Sequence, residues 1–208
     1  MSVDGTEKHS FYSPKDTGIY MTLAWPLKAD RSDEDRENEL RVTAKTAVAV
    51  VNGLSSAVPL DYRIKWVNDI YVGTKKICGI LVERVSDTLI IGIGINVTTE
   101  VFPENIEHRA GALLQNAWVR ADSETVNRNY LIAPIVEALV EELENIGDTE
   151  YLNLYRRASN VLGHTVTIND ITGTAIEIND MGALVVMTPD LVTHTISTGE
   201  ILVDGEKI

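Results

Sequence analysis

Side chains that could bind a phosphorylated ligand are concentrated in residues 65–83, KWVNDIYVGTKKICGILVE. Lysine ammonium groups bind carboxylate and phosphate oxygens, so Lys65, Lys75 and Lys76 could hold anionic reactants together. Gly79 lies among β-forming residues, where a glycine is tolerated if a ligand or another backbone must come close. The alternative for Lys76 is a solvated lysine beside a turn. Its proximity to Gly79 and to an Asn-Asp pair favours a ligand site.

The apolar pattern predicts the strands that position these residues. Residues 65–83 form a β-hairpin, because β-forming residues flank Gly73 and Thr74 and Lys76 begins the return strand. Further strands are predicted at residues 18–25, where Pro26 ends the strand, 61–66 and 88–97. The last is a continuous apolar run, typical of a strand that is buried on both faces.

One amphipathic helix is predicted between the first strand and the hairpin. Its apolar residues recur at helical spacing: Leu40, Ala44, Ala47, Val48, Val51 and Leu54. Ser32 with Asp35 is a candidate capping box at its start, within a charged segment that is otherwise a predicted loop. The helix is expected to end at Asn52 and Gly53 or shortly after.

A second long helix is predicted after residue 130, and a short one near residues 112–115. The apolar stripe of the long helix consists of Ile132, Ile135, Val136, Leu139, Val140, Leu143 and Ile146. Pro134 is expected to kink this helix or to mark its first turn, and Gly147 to end it. The glutamates at 137, 141, 142 and 144 are interpreted as a solvated face and not as paired catalytic carboxylates.

A change in composition near Asn160 predicts a domain boundary, with one domain at residues 1–158 and another at 160–208. Five short β-runs follow it, separated by turn residues such as Asn169-Asp170, which suggests a small barrel. On sequence alone this part could be any small β-module. His164 and His194 are expected on strand surfaces, because neither has a suitably spaced partner for a metal.

Composition and charge restrict the class of protein. The 208 residues carry a net charge of −13, which argues against nucleic-acid binding. No apolar run is long enough to span a membrane, and the N-terminus has no apolar segment of a secretory signal, so a cytoplasmic location is expected. The single cysteine, Cys78, excludes an internal disulfide and is expected in the core.

The motifs resemble those of a known family. KWxND, a turn, K-I-x-GILVE and then IIGIGINV at residues 90–97 are similar to the catalytic core of biotin protein ligases. FYSP at residues 11–14 fits the strand that leads into that core, and the similarity continues through the later helices into the C-terminal β-segment. The resemblance implies an α+β fold: a mixed β-sheet with packed helices, followed by a small SH3-like β-barrel.

The resemblance also implies a reaction. Such an enzyme joins the biotin carboxylate to the α-phosphate of ATP and then passes biotin from biotinyl-5'-AMP to a lysine of a biotin carboxyl carrier protein. Lys76 occupies the position of the catalytic lysine. Asn68 and Asp69 match the Asn-Asp pair that meets the adenylate, with Asp69 as a possible Mg²⁺ ligand. Their alternative is a turn whose polar side chains satisfy its own backbone.

Other residues match the biotin and nucleotide pockets of the family. Gly79 and Leu81 would line the biotin pocket. The segment GIGIN supplies Gly92, Ile93, Gly94 and Asn96, where glycines allow a ligand against the backbone and asparagine can hydrogen-bond an adenine edge. Phe11 matches an aromatic residue that covers the adenine, and its alternative is a core position.

Two departures from the family pattern leave three hypotheses open. Residues 3–10, VDGTEKHS, replace a GRGRxGR loop, and the upstream Ser-Thr-Asn biotin contacts are absent from the sequence. If Met1 is the native start, the first step is expected to be slow or undetectable. The chain is a biotin ligase, a relative that binds without turnover, or a lipoate or octanoate transferase. KWxND and GILVE favour the biotin branch, and the altered loop favours the non-catalytic relative. Family members often form homodimers through the catalytic sheet.

Overall fold

The computed structural model describes residues 11–27, 38–116, 128–145 and 147–204. The expected capping box at Ser32 and Asp35, the segment 3–10 and Ile146 lie outside these residues.

The first sheet contains the predicted hairpin and its neighbours. Its strands are β1 (Gly18–Pro26), β2 (Tyr62–Lys65), β3 (Asp69–Val72), β4 (Lys75–Val85) and β5 (Thr88–Asn96). Their order across the sheet is β1-β5-β4-β3-β2, and every neighbouring pair of strands is antiparallel. The predicted strands are confirmed, whereas the sheet formed by the described residues is antiparallel and not mixed as expected. Short turns join consecutive strands of the sheet from β2 to β5, and such turns require antiparallel pairing.

β5 has one buried face and one more open face. Leu89, Ile91, Ile93 and Ile95 are buried against the helices. Gly92 and Gly94 lie on the opposite face. Burial on both faces, as the apolar run predicted, is therefore wrong, because two of the residues on the second face are glycines without side chains to bury.

Two long helices, α1 (Asn38–Ala57) and α3 (Asn129–Glu144), form the layer beside the buried face of the sheet. α1 packs on β2, β3 and β4, and α3 packs on α1. α1 ends at Ala57, shortly after Gly53, as predicted. A Cβ atom at Gly53 would lie 2.6 Å from the backbone of Ile135, so this glycine allows the helices to cross closely and does not end α1. The short helix α2 (Leu113–Asn116) confirms the predicted one.

α3 buries one stripe of its surface, at Leu131, Ile135, Leu139 and Leu143. Pro134 lies inside the helix beyond its first turn. Glu142 does not belong to the solvated face as expected, because its carboxylate lies 2.7 Å from the Nζ atom of the fully buried Lys45. A further helix, α4 (Tyr151–Ala158), was not predicted; it buries Tyr151, Leu152 and Tyr155.

The C-terminal part forms a second antiparallel sheet. Its strands are β6 (Thr165–Ile168), β7 (Ile171–Ile178), β8 (Leu184–Met187), β9 (Thr193–Ile196) and β10 (Leu202–Val203), in the order β10-β6-β7-β8-β9. The five predicted strands are confirmed. The division at residues 158 and 160 stays a prediction.

The two sheets share contacts through the turn between β7 and β8. Trp66 donates its indole N–H to the carbonyl oxygen of Gly182 at 2.9 Å. Arg156 donates to the carbonyl oxygen of Ile178 and forms an ion pair with Asp180 at 2.8 Å. One apolar cluster includes buried residues of both sheets. No helix in the described ranges is long and apolar enough to cross a bilayer.

Candidate active site

Lys76 and Asp69 form an ion pair on the open face of the first sheet. The Nζ atom of Lys76 lies 2.6 Å from Oδ1 of Asp69, and the two side chains are 31% and 20% exposed. β3 and β4 bring them together, because Asp69 pairs with Gly79 and a register shift after Ile70 sets Tyr71 opposite Lys76. The ammonium group of Lys76 is therefore paired with the Asp69 carboxylate, and both side chains are partly buried. A lysine in bulk solvent, the alternative from the sequence, is wrong.

Lys65 adds a second, more deeply buried amine beside this pair. It is 7% exposed and lies directly opposite Asp69 across the β2–β3 ladder. Burial lowers the pKa of Lys65, and the nearby Asp69 carboxylate partly offsets that effect. The other charged groups that act on Lys65 are Lys76, Arg109 and Glu200. Three basic and two acidic groups thus form a locally cationic cluster in an acidic chain.

Asn68 fixes the turn between β2 and β3. Its side-chain amide donates to the carbonyl oxygen of Ile80 at 2.6 Å, and the Ile80 N–H donates to the Asn68 carbonyl oxygen at 3.1 Å. The side chain of Asn68 thus binds a carbonyl group of β4 and not the backbone of its own turn, which was the alternative from the sequence. Asn68 thereby positions Asp69, the next residue.

Gly79 and Gly94 form a cradle on the open face, and the ring of Phe11 lies in it. A Cβ atom at Gly79 would lie 3.3 Å from the Phe11 ring, and one at Gly94 would lie 2.9 Å from it. Tyr20 packs edge-on against the same ring, with 6.1 Å between centroids. The close approach expected from Gly79 is therefore made by an aromatic side chain of this chain.

Three other predicted site residues lie outside the glycine cradle. The side chain of Ile93 points into the helix-facing core, where it is 3% exposed, so it does not reach the cradle. Leu81 is 58% exposed, and its carbonyl oxygen is the atom nearest to a Cβ built at Gly92, at 3.7 Å. Leu81 and Gly92 thus lie beside the cradle and leave open surface there.

Asn96 ends β5 on the same face as Gly94. Its side chain is 4% exposed, and its amide group donates to the carbonyl oxygen of Gly111 at 3.1 Å. Its Oδ1 atom has no hydrogen-bond partner among the described residues. A buried acceptor of this kind is costly unless a ligand or water donates to it, and the sequence motif had indicated a ligand contact here.

The sequence analysis missed the role of residues 107–111. This segment hydrogen-bonds to the backbone of Lys76 and to the side chain of Lys75. It has no periodic pattern, and its acceptors are backbone carbonyl groups, so no signal in the sequence indicated the contact. Lys75, expected to be a phosphate ligand, is engaged by these carbonyl groups.

Few side chains near the site could hold a metal. Among the residues that the structure describes, no group of three or more His, Cys, Asp or Glu side chains is suitably arranged. Asp69 is a single carboxylate, which fits an Mg²⁺ ion that nucleotide phosphates also coordinate. Cys78 is fully buried, and burial raises the pKa of its thiol, so it does not supply a thiolate.

Comparisons with known proteins agree with this geometry. The model of the biotin/lipoate A/B protein ligase family matches residues 3–99, which include the ion pair and the cradle. The chain is therefore similar to biotin protein ligases. One similar protein is the bifunctional ligase/repressor BirA of Bacillus spizizenii, with 29% identity over 197 residues, which are 89% of this chain and 58% of that protein.

Two further proteins show the same similarity. A biotin–[acetyl-CoA-carboxylase] ligase of Mycobacterium tuberculosis is 28% identical over 136 residues, which are 63% of this chain and 49% of that protein. The structure of a biotin protein ligase from Aquifex aeolicus in complex with biotin and ATP superposes with a TM-score of 0.69. It is 26% identical and covers 90% of this chain and 78% of that one. The matched region spans about half the length of the BirA protein and of the Mycobacterium tuberculosis ligase.

Proposed function

We propose that this chain activates biotin with ATP and transfers it to a lysine of a carrier protein. In the first step, a carboxylate oxygen of biotin attacks the α-phosphorus of ATP and pyrophosphate leaves. In the second, the amine of the carrier lysine attacks the acyl carbon, AMP leaves, and an amide forms with loss of a proton. The observation that carries the proposal is the Lys76–Asp69 ion pair beside the cradle of Gly79 and Gly94.

Lys76 has the charge and position that the first step requires. Negative charge accumulates where the carboxylate meets the phosphate, and a positioned cation in a partly dry site stabilises that charge. Asp69 accepts one of the three N–H donors of Lys76. The remaining two are oriented by this contact and serve the biotin carboxylate and the α-phosphate.

The nucleotide and biotin pockets are assigned to the open face of the sheet. We place the adenine against Phe11 with its amino group donating to the orphaned Oδ1 atom of Asn96. Biotin would lie along Gly79, Leu81 and Gly92, where the sheet is least covered. Mg²⁺ would be held by Asp69 together with phosphate oxygens and would neutralise part of their charge.

A second candidate function is binding of biotin or its adenylate without turnover. The ring of Phe11 already lies in the glycine cradle, and residues 3–10 lack the arginines of the family loop. Both observations favour a site that holds a ligand less tightly in the transition state. Transfer of lipoate or octanoate is the third candidate, and KWxND with GILVE argues against it.

Biotin-dependent exchange of labelled pyrophosphate into ATP tests the first step alone. Lys76→Met should reduce the exchange rate by about 10²–10³-fold, the typical effect of removing one electrostatic group from a reacting centre. Lys15→Met is the matched control, because Lys15 is 92% exposed and should leave the rate unchanged. Equal rates for Lys76→Met and wild type would remove Lys76 from the mechanism.

Calorimetric titration distinguishes the candidates. Binding of biotin and biotinyl-adenylate without pyrophosphate exchange would establish the non-catalytic relative. Exchange that depends on lipoate instead of biotin would establish the lipoyl alternative. Absence of heat with every ligand would contradict all three candidates.

The remaining assignments concern the second sheet and the partners. We propose that residues 160–208 are the SH3-like module of bacterial biotin ligases, supported by five short antiparallel strands. The partner would be a biotin carboxyl carrier domain, and a homodimer would form through the sheet of the catalytic domain. The net charge of −13 disfavours DNA as a partner.

A further inference from the structure

Lys76 lies where β4 extends beyond the end of β5. The β4–β5 ladder stops at the pair of Cys78 with Ile95, so β5 does not reach the first residues of β4. Residues 107–111, which we call the latch, take its place. The N–H of Lys76 donates to the Arg109 carbonyl oxygen at 2.7 Å, and the N–H of Gly111 donates to the Lys76 carbonyl oxygen at 2.9 Å. Both backbone groups of Lys76 are therefore bound by the latch.

Two side chains fasten the latch at its ends. Lys75 donates from Nζ to the carbonyl oxygens of Glu107 and His108, at 2.9 and 2.8 Å. At the other end, the amide of Asn96 donates to the carbonyl oxygen of Gly111. The bonds from Lys75 have a charged donor, which makes them stronger than bonds between neutral groups.

One side of the latch borders an open cavity. This cavity measures about 420 Å³, and its lining includes Lys75, Glu107 and Ala110. The latch has open space on that side into which it could move. Its position against β4 therefore depends on its two backbone hydrogen bonds with Lys76 and on the hydrogen bonds from Lys75 and Asn96.

We propose that Lys75 is a positioning residue that, through the latch, holds the backbone of Lys76 in the place from which its ammonium group reaches Asp69 and the reactants. This inference rests on the proposed function of Lys76. The backbone of a residue sets the direction of its side chain, and a displacement of about 1 Å at a reacting group can reduce a rate by about 100-fold. Lys75 would contribute to the reaction without touching the substrate.

Residue-resolved amide hydrogen exchange tests the latch without reference to activity. In Lys75→Met, the amides of Lys76 and Gly111 should exchange at least tenfold faster than in the wild type, while amides of β5 such as Ile93 keep their rates. Lys75→Arg retains a charged donor and should restore most of the protection. Lys15→Met is the control and should change neither amide. Unchanged protection of Lys76 in Lys75→Met would overturn the latch.

Steady-state pyrophosphate exchange tests the consequence for the reaction. Lys75→Met should lower kcat by about tenfold or more and leave KM for biotin within about twofold, because the binding surface remains while Lys76 is displaced. Lys75→Arg should recover kcat. If the amide hydrogen of Lys76 exchanges faster in Lys75→Met while kcat for pyrophosphate exchange is unchanged, the positioning role is refuted. A wild-type protein without pyrophosphate exchange activity would refute the proposed function. The rates of amide hydrogen exchange would still decide whether the latch exists.

Discussion

An alanine at Gly94 should disturb the packing of Phe11, whereas an alanine at Gly92 should not. The two glycines lie on the same face of β5, so they form a matched pair. A Cβ atom at Gly94 would lie 2.9 Å from Cε1 of Phe11, and one at Gly92 would have no heavy atom closer than 3.7 Å. Because carbon atoms prefer a separation of about 3.5–4.0 Å, the Phe11 ring must move by roughly 0.6–1.1 Å in Gly94→Ala.

The magnitude follows from two opposing effects. Alanine is favoured over glycine inside a strand by about 0.5–1 kcal/mol, and both variants gain this. Gly94→Ala also incurs the cost of overpacking, about 1–3 kcal/mol. The two variants should therefore differ by about 1–3 kcal/mol in the free energy of unfolding. For a protein of this size, the difference corresponds to roughly 2–12 °C in Tm, with Gly92→Ala the more stable.

Thermal unfolding in the Phe11→Ala background separates the Phe11 contact from other causes. Without the ring, the added methyl group at Gly94 has space, so the difference between the two alanine variants should disappear. A difference that persists in Phe11→Ala, or equal Tm values for both variants with Phe11 present, would refute the placement of the ring in the cradle.

Two further predictions concern buried lysines. Lys45→Met leaves Glu142, 21% exposed, without its cation and should cost roughly 2–4 kcal/mol in urea unfolding, with much of the loss recovered by adding Glu142→Gln. Additive losses would contradict a coupled pair. The pKa of Lys65 is lowered in the folded state, so the unfolded state binds more protons between that pKa and 10.5. The stability of wild type relative to Lys65→Met should rise with pH in this window, and a flat difference would contradict it.

The parts of the fold that depend on local pattern could be predicted from the sequence. The β3–β4 hairpin follows from β-forming residues around Gly73 and Thr74, and the motif placed Lys76 at the start of the return strand. Antiparallel pairing then brings Asp69 and Lys76 together. The strands of the second sheet were also predictable, because turn residues separate them regularly.

Features that depend on distant contacts could not be predicted. Gly53 suggested the end of α1, yet its role is to admit Ile135 of α3, which is far away in the sequence. α4 has too few turns to give a clear apolar period. The latch binds Lys76 through carbonyl groups, which every residue type carries. Gly79 indicated a close approach correctly, but nothing in its surroundings identified Phe11 as the approaching group.

The local charges explain how a chain with a net charge of −13 could bind a nucleotide. Lys65, Lys76 and Arg109 outnumber Asp69 and Glu200 around the site, and charges that are partly buried act at short range with little screening. The contact with Asp69 uses one of the three N–H donors of the Lys76 ammonium group. The other two are oriented by this contact and can donate to a phosphate while the ion pair remains intact.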